Sequence, residues 1–137
     1  MSFNPYLFFS GDCGAAFRFY GEVFGVEPRI MTGADVPPGE SGMEGLGADQ
    51  VMHAAIEING GLLMGSDDPT GTGGAKTGIA VSYSAADAAE VRRVFDALAE
   101  GGTVDMPVEA TFWSAAFGAL TDKFGVPWMI DTAEQPA

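Results

Sequence analysis

The feature that most constrains this sequence is a strand followed by a helix that occurs twice, about half the chain apart. Both helices are predicted from apolar residues that recur at helical spacing: Phe17, Tyr20 and Phe24, then Val91, Phe95 and Leu98. A short apolar or aromatic segment precedes each helix: Tyr6–Ser10 and Ile79–Ser84. This repeat predicts two stacked modules with related topology.

Both predicted helices have start and stop signals. Asp12 can accept hydrogen bonds from the first turn of the first helix, and Gly25 suits the left-handed residue that ends it. Ser84 and Asp87 have the spacing of a capping box for the second helix. Gly101 and the glycine after it are expected to end that helix.

The other ordered segments are predicted to be strands. In the segment 51–59, His53 and Glu57 alternate with apolar residues and therefore share one face. A hairpin turn at Gly60–Gly61 leads into the next strand. The remaining strands are Leu62–Met64, Val104–Glu109, Phe117–Thr121 and Trp128–Thr132, and the loops are Gly33–Asp49 and Ser66–Thr77. These elements predict one α+β domain, 1–137, with modules at 1–68 and 78–134.

Charge and composition exclude several classes of protein. Nineteen acidic residues oppose six basic ones, giving a net charge of −13, which excludes nucleic-acid binding and docking on anionic membranes. Cys13 is the only cysteine, so no internal disulfide can form, and a reducing compartment is indicated. No apolar run approaches the ~20 residues of a membrane span, and the first residues do not resemble a secretory signal. We therefore expect a cytoplasmic protein.

His53 is the most informative titratable residue, because it is the only histidine and shares a strand face with Glu57. One interpretation is general acid–base chemistry or metal ligation, and the other is a half-buried histidine with a structural partner. A second candidate feature is the aromatic segment Phe112–Gly118, which can form the wall of an apolar pocket or a dimer interface. Cys13 is expected to be structural, since no second Cys or His lies near it in sequence.

Three blocks of the sequence resemble the PhnB-like family of the vicinal oxygen chelate superfamily. These blocks are NPYLFFSGDCGAAFRFYGEVFG, VMHAAIEINGGLLMGSD and TFWSAAFGALTDKFGVPWMIDT, in that order, and they span almost the whole chain. The superfamily also contains glyoxalase I, extradiol dioxygenases, and the bleomycin- and fosfomycin-resistance proteins. The resemblance implies paired βαβββ modules whose mixed sheets curl around a cleft, and a homodimer as the assembly.

The resemblance also implies positions for a metal held by four strands. In this chain they fall at Tyr6, Glu57, Gly78 and Met129, or at Asp131 if the last position slips by two residues. Few of these side chains are usual metal ligands. We therefore expect no catalytic metal, and no other cofactor.

The resulting hypothesis is a protein that holds or transforms a small, partly apolar molecule in its cleft. His53 would carry a proton or a hydrogen bond, with Glu57 as its charged neighbour. The predicted ligand-binding residues are aromatic: Tyr6, Phe8, Trp113, Phe117 and Trp128. The alternatives are a metal-dependent lyase or transferase of the glyoxalase or fosfomycin-resistance type, and a drug-sequestering protein for a cationic ligand, which the net negative charge would suit.

Overall fold

A computed structural model describes residues 2–37, 47–69, 74 and 76–137. The chain divides into two compact units, Met1–Gly74 and Ala75–Ala137. The elements of the first unit are β1 (Tyr6–Phe9), α1 (Cys13–Phe24), β2 (Arg29–Thr32), a 3₁₀ turn (Gly33–Asp35), β3 (Val51–Ile58) and β4 (Gly61–Asp67). Those of the second unit are β5 (Val81–Ala85), α2 (Ala88–Ala99), β6 (Thr103–Glu109), β7 (Phe117–Thr121) and β8 (Pro127–Thr132).

Each unit forms a mixed four-stranded sheet with the same topology. The strand order is β1-β4-β3-β2 in the first sheet and β5-β8-β7-β6 in the second. The first and last strands of each unit pair in parallel, and the other neighbouring pairs are antiparallel. The predicted α+β fold is confirmed.

The helix of the first unit packs on one face of its sheet through aromatic side chains. Phe17 and Tyr20 of α1 are fully buried, with ring centroids 5.6 Å apart, and Phe9 of β1 meets Phe17 edge to face at 6.3 Å. A β-carbon at Gly65 on β4 would lie only 2.7 Å from the Phe17 ring. Glycine at this position therefore allows the helix to approach the sheet closely.

The second unit repeats this packing. Val91, Val94 and Leu98 of α2 are fully buried, as is Ile130 on β8. A β-carbon at Gly118 on β7 would lie 2.7 Å from the Phe95 ring, so this glycine also faces the helix. In both units, residues that alternate with the core residues point away from the helix.

The first turn of α1 is capped from a distant strand. Asp12 occupies the N-cap position, but its side chain makes no capping hydrogen bond. Instead, the buried carboxylate of Asp67 accepts hydrogen bonds from the backbone N–H groups of Gly11 and Cys13 at 2.9 and 3.0 Å. Its other oxygen accepts from the N–H of Val51 at 2.8 Å. The prediction that Asp12 caps α1 was therefore wrong, although Gly25 does end the helix in the left-handed conformation.

Other local predictions shift by a few residues. The N-cap of α2 is Asp87, which accepts from the N–H of Glu90 at 2.9 Å, whereas Ser84 lies within β5. The β3–β4 turn is centred on Asn59 and Gly60, both with positive φ, and Gly61 already belongs to β4.

The strand β2 was not predicted from the sequence. Its four half-exposed residues, RIMT, pair with β3 in antiparallel register. Within the predicted loops, residues 38–46, 70–73 and 75 lie outside the described residues, so no structure is assigned to them.

Neither α1 nor α2, and no other helix of the described ranges, is long and apolar enough to cross a membrane.

Replacing the distant cap should destabilise the protein more than replacing the local one. We expect Asp67→Ala to lower the free energy of unfolding by about 3 kcal/mol, because three backbone N–H groups lose their acceptor in a buried place. Asp12→Ala should cost less than about 1 kcal/mol. Urea unfolding followed by circular dichroism measures both values, and equal losses would contradict the assignment of Asp67 as the cap.

Candidate functional site

Each sheet has one face that its own helix does not cover, and we call this its open face. On the first sheet, Leu7 and Phe9 of β1 point into the core, so Tyr6 and Phe8 point to the open face. Cross-strand pairing places Met64 beside Tyr6, and Met31 beside His53. The first open face thus carries Tyr6, Phe8, Met31, His53 and Met64.

Tyr6 and His53 are in direct contact on the first open face. The Tyr6 hydroxyl lies 3.3 Å from Nδ1 of His53, within hydrogen-bond distance, and the two ring centroids are 5.8 Å apart. The ring of Phe8 lies 5.3 Å from that of Tyr6. Tyr6 and Phe8 are 37% and 47% exposed, and His53 is half-buried. The structure therefore brings together three of the predicted site residues.

Glu57 lies apart from this group. It follows His53 by four residues on β3, which is about 13 Å along a strand. Its side chain is exposed, and its cross-strand partner is Leu62 at the hairpin end of the sheet. Among the described residues no hydrogen bond joins Glu57 to His53, so His53 has the Tyr6 hydroxyl as its polar neighbour.

The open face of the second sheet is marked by a row of cross-strand partners. Asp131 on β8 pairs with Ser84 on β5 and with Phe117 on β7, and Phe117 pairs in turn with Glu109 on β6. The Ser84 hydroxyl donates to a carboxylate oxygen of Asp131 at 2.6 Å. Met129 lies two residues before Asp131 on the same face and is 40% exposed.

Trp113 reaches this row from the loop between β6 and β7. Its ring centroid lies 5.7 Å from that of Phe117 and 4.8 Å from that of Phe112. The loop is held by the buried hydroxyl of Ser114, which lies 2.6 Å from the carbonyl oxygen of Thr132 and 2.8 Å from that of Ala116, so that its single proton is donated to this pair of acceptors. The same hydroxyl accepts from the N–H of Thr132 at 3.2 Å. The serine within the aromatic segment therefore anchors the loop, while Trp113 remains 46% exposed.

Trp128 differs from the other predicted ligand-binding aromatics. It is 2% exposed, and its indole N–H donates to the carboxylate of Asp122 at 2.9 Å. The same carboxylate accepts from the backbone N–H groups of Phe124 and Val126 in the turn before β8. Trp128 is thus a core residue of the second unit, on the side of the sheet that faces α2.

The structure places the metal-ligand positions that the resemblance implied on several different elements. Tyr6 lies on β1, Glu57 on β3, and Met129 and Asp131 on β8. In the second sheet Met129 has Ser82 as its parallel partner on β5, and Asp131 has Ser84.

Gly78 has no side chain and precedes β5 by three residues. The other implied positions hold the phenol of Tyr6, the carboxylate of Glu57, and either the thioether of Met129 or the carboxylate of Asp131, which is a poor donor set for Zn²⁺ or Ni²⁺. Among residues 2–37, 47–69, 74 and 76–137, no three His, Cys, Asp or Glu side chains come close enough to hold a metal ion.

A cavity lies elsewhere in the first unit, at the end of α1. Its volume is about 630 Å³, and its lining includes Arg18, Glu22, Pro28 and Ile30. None of the site residues predicted from the sequence lines it.

Comparison with known proteins gives concordant matches over nearly the whole chain. The family model described as 3-demethylubiquinone-9 3-methyltransferase matches residues 1–131. Protein YjdN from Escherichia coli K12 is 32% identical, and the match covers 98% of this chain and 97% of YjdN.

Solved structures support the same relationship. Protein PA1353 from Pseudomonas aeruginosa is 37% identical with a TM-score of 0.82, covering 96% of this chain and 97% of that one. The PhnB protein from Bacillus cereus is 25% identical with a TM-score of 0.74, covering 97% and 100%. A glyoxalase/bleomycin resistance protein from Albidiferax ferrireducens, 15% identical with a TM-score of 0.62 and coverage of 95% and 97%, shares the fold.

The contact between Tyr6 and His53 is directly measurable, because the chain has a single histidine. We expect Tyr6→Phe to move the ¹⁵N NMR signal of His53 Nδ1 and to leave that of Nε2 much less changed, since the lost hydroxyl lies beside Nδ1. Tyr83→Phe, next to Glu90 and Arg93 of α2, is the control and should move neither signal. An unchanged Nδ1 signal in Tyr6→Phe would contradict the contact.

Proposed function

The chain belongs to the PhnB-like family, whose model is described as 3-demethylubiquinone-9 3-methyltransferase, and on that premise we propose that it binds a small, partly apolar molecule on its open faces. On the first open face Tyr6 and Phe8 supply the apolar contacts, and on the second open face Trp113 and Phe117 supply them. His53 supplies a hydrogen bond or a proton. The cytoplasmic location and the homodimer expected from the sequence stay predictions.

The observation that carries this proposal is the Tyr6–His53 contact on an aromatic surface. A large apolar surface that is left exposed in a folded protein often serves as a binding site. Here the exposed rings of Tyr6 and Phe8 adjoin the half-buried imidazole of His53, which can donate or accept a hydrogen bond. Apolar walls with one or two polar groups that fix orientation are typical of small-molecule sites.

The side chains at the superfamily's metal-binding positions support the proposal that the small molecule is bound without a metal ion. At the implied positions Tyr6 and Met129 offer no carboxylate and no imidazole, Gly78 has no side chain, and the carboxylate of Asp131 accepts a hydrogen bond from the Ser84 hydroxyl. His53 and Glu57, whose imidazole and carboxylate could each coordinate a metal ion, are about 13 Å apart along β3. A metal-dependent lyase or transferase mechanism therefore has too few ligands at these positions in this chain.

The family description names methyl transfer, a reaction that needs a loop to hold the methyl donor. The glycines that follow the strand of His53 form a tight turn and not such a loop. Gly60 lies in the tight turn between β3 and β4, and Gly61 is already paired with Ile58. Binding of a small molecule is the function that the geometry supports best.

The proposed role of His53 can be tested with benzyl alcohol, a neutral aromatic probe with one hydroxyl group. We expect His53→Ala to raise the Kd for benzyl alcohol about fivefold, which corresponds to the loss of one hydrogen bond of about 1 kcal/mol. Ligand-observed NMR measures the Kd, and circular dichroism checks the fold.

Glu57→Gln is the matched control, because it alters a polar residue of the same strand that does not contact His53, and it should change the Kd less than twofold. His53→Gln provides a second variant in case His53→Ala is not folded. An unchanged Kd in a folded His53 variant would remove His53 from the site.

Metal binding gives an independent test of the proposal. Purified protein incubated with Zn²⁺, Ni²⁺ or Mn²⁺ should show no stoichiometric ion by native mass spectrometry after removal of free metal, because few of the implied positions carry usual ligands. One ion per chain that is lost in Tyr6→Phe or in Glu57→Gln would contradict the proposal and favour a metal-dependent lyase or transferase.

A further inference from the structure

We propose that the open face of the second sheet binds an organic cation with an apolar body, through the rings of Trp113 and Phe117 and the carboxylate of Asp131. This inference rests on the proposed function, since Trp113 and Phe117 belong to the proposed binding residues. The new element is that the ligand carries a positive charge on an apolar body, which the aromatic side chains alone do not specify.

The position of Phe117 defines the centre of this surface. Its neighbour Gly118 faces the Phe95 ring of α2, so Phe117 points to the open face. Its two cross-strand partners are Asp131 and Glu109. Neighbouring strands lie about 4.8 Å apart, so the aromatic ring lies between two carboxylates on the same face.

Trp113 adds a second ring at an angle to the first. The two rings meet at an interplanar angle of 67° with centroids 5.7 Å apart, which forms an aromatic corner. A cation over the face of an aromatic ring is attracted by the negative charge of that face, most favourably with tryptophan. Because Ser114 anchors the loop to Thr132, this corner is formed before a ligand arrives.

Asp131 is held in place by a hydroxyl group and not by a basic side chain. The 2.6 Å bond from Ser84 fixes one carboxylate oxygen without neutralising its charge. The strands β5 to β8 contain no Lys or Arg at all. Arg92 and Arg93 lie on α2, on the other side of the sheet, and Arg93 pairs with Glu90. Lys123 lies in the β7–β8 turn and the backbone of Lys76 bonds to Gly125 of that turn, at the opposite end of the strands from Asp131. The negative charge of this face is therefore available to a cation from outside the chain.

Charge complementarity favours a cation over an anion or a neutral apolar molecule as the ligand of this surface. A net charge of −13 attracts cations and repels anions at long range. A neutral apolar occupant would cover Phe117 and Met129 but would also desolvate the adjacent carboxylates without a partner. A cation with an apolar body satisfies both the rings and Asp131.

The probe for this inference is benzyltrimethylammonium, compared with neutral benzyl alcohol and anionic phenylacetate. The two tryptophans make fluorescence selective, because Trp113 is 46% exposed whereas Trp128 is 2% exposed. We expect the cation to quench Trp113 with a Kd at least tenfold lower than that of benzyl alcohol, and this Kd should rise with salt concentration. Phenylacetate should bind most weakly.

Asp131→Asn should raise the Kd for the cation about tenfold and leave that for benzyl alcohol within twofold, because only the charge is removed. Asp105→Asn is the matched control. It removes the same charge from β6, where the carboxylate also has a hydroxyl partner, Thr121 at 2.8 Å. It should change the Kd for the cation less than twofold. Asp131→Ser serves as a second variant if Asp131→Asn does not fold.

The outcomes separate this inference from the proposed function. Equal affinity for the cation and benzyl alcohol, unaffected by Asp131→Asn, would overturn the inference and leave the proposed function standing. An equal loss in Asp131→Asn and Asp105→Asn would show a general charge effect and would also overturn the assigned site. Absence of binding by all three probes would overturn both proposals.

Discussion

A single helix covers each four-stranded sheet, and this constraint determines which face of the sheet carries the candidate site. A helix of 12 residues buries one face of its sheet, where Phe17 and Tyr20 or Val91 and Leu98 fill the core. The opposite face of each sheet has no helix of its own unit to cover it. Because side chains alternate along a strand, every second residue of the same strands that build the core is presented on this open face. The core and the candidate site are therefore formed by alternate residues of the same strands.

Buried polar groups hold the backbone of these strands and of the adjoining loops in place. Asp67 joins the end of β4 to the start of α1 and to the start of β3, while Asp122 joins the turn before β8 to the indole of Trp128. Ser114 plays a similar part for the loop that carries Trp113. Such groups are costly to bury unless every lone pair and proton has a partner, so they favour one arrangement of the backbone. The positions of the exposed aromatic rings depend on these inner contacts.

Local sequence patterns predicted the repeat, both helices and most strands, because those features follow from spacing within a short segment. They did not predict β2, whose four residues gain their structure from pairing with β3. They also named Asp12 as a cap, because the true acceptor, Asp67, is more than fifty residues away. Site prediction had the same limit. Tyr6 and His53 were selected separately as residue types, but the contact between them depends on the order of the strands in the sheet. Trp128 was expected on the ligand surface, but alternation along β8 places it in the core.

We propose that ligands bind on the open faces and not in the cavity at the end of α1. Backbone amide chemical-shift mapping during titration with benzyl alcohol and benzyltrimethylammonium distinguishes the two locations. Perturbations are expected at Tyr6 and His53 and at Phe117 and Asp131. Perturbations confined to the cavity residues, such as Arg18, Glu22 and Ile30, would contradict it.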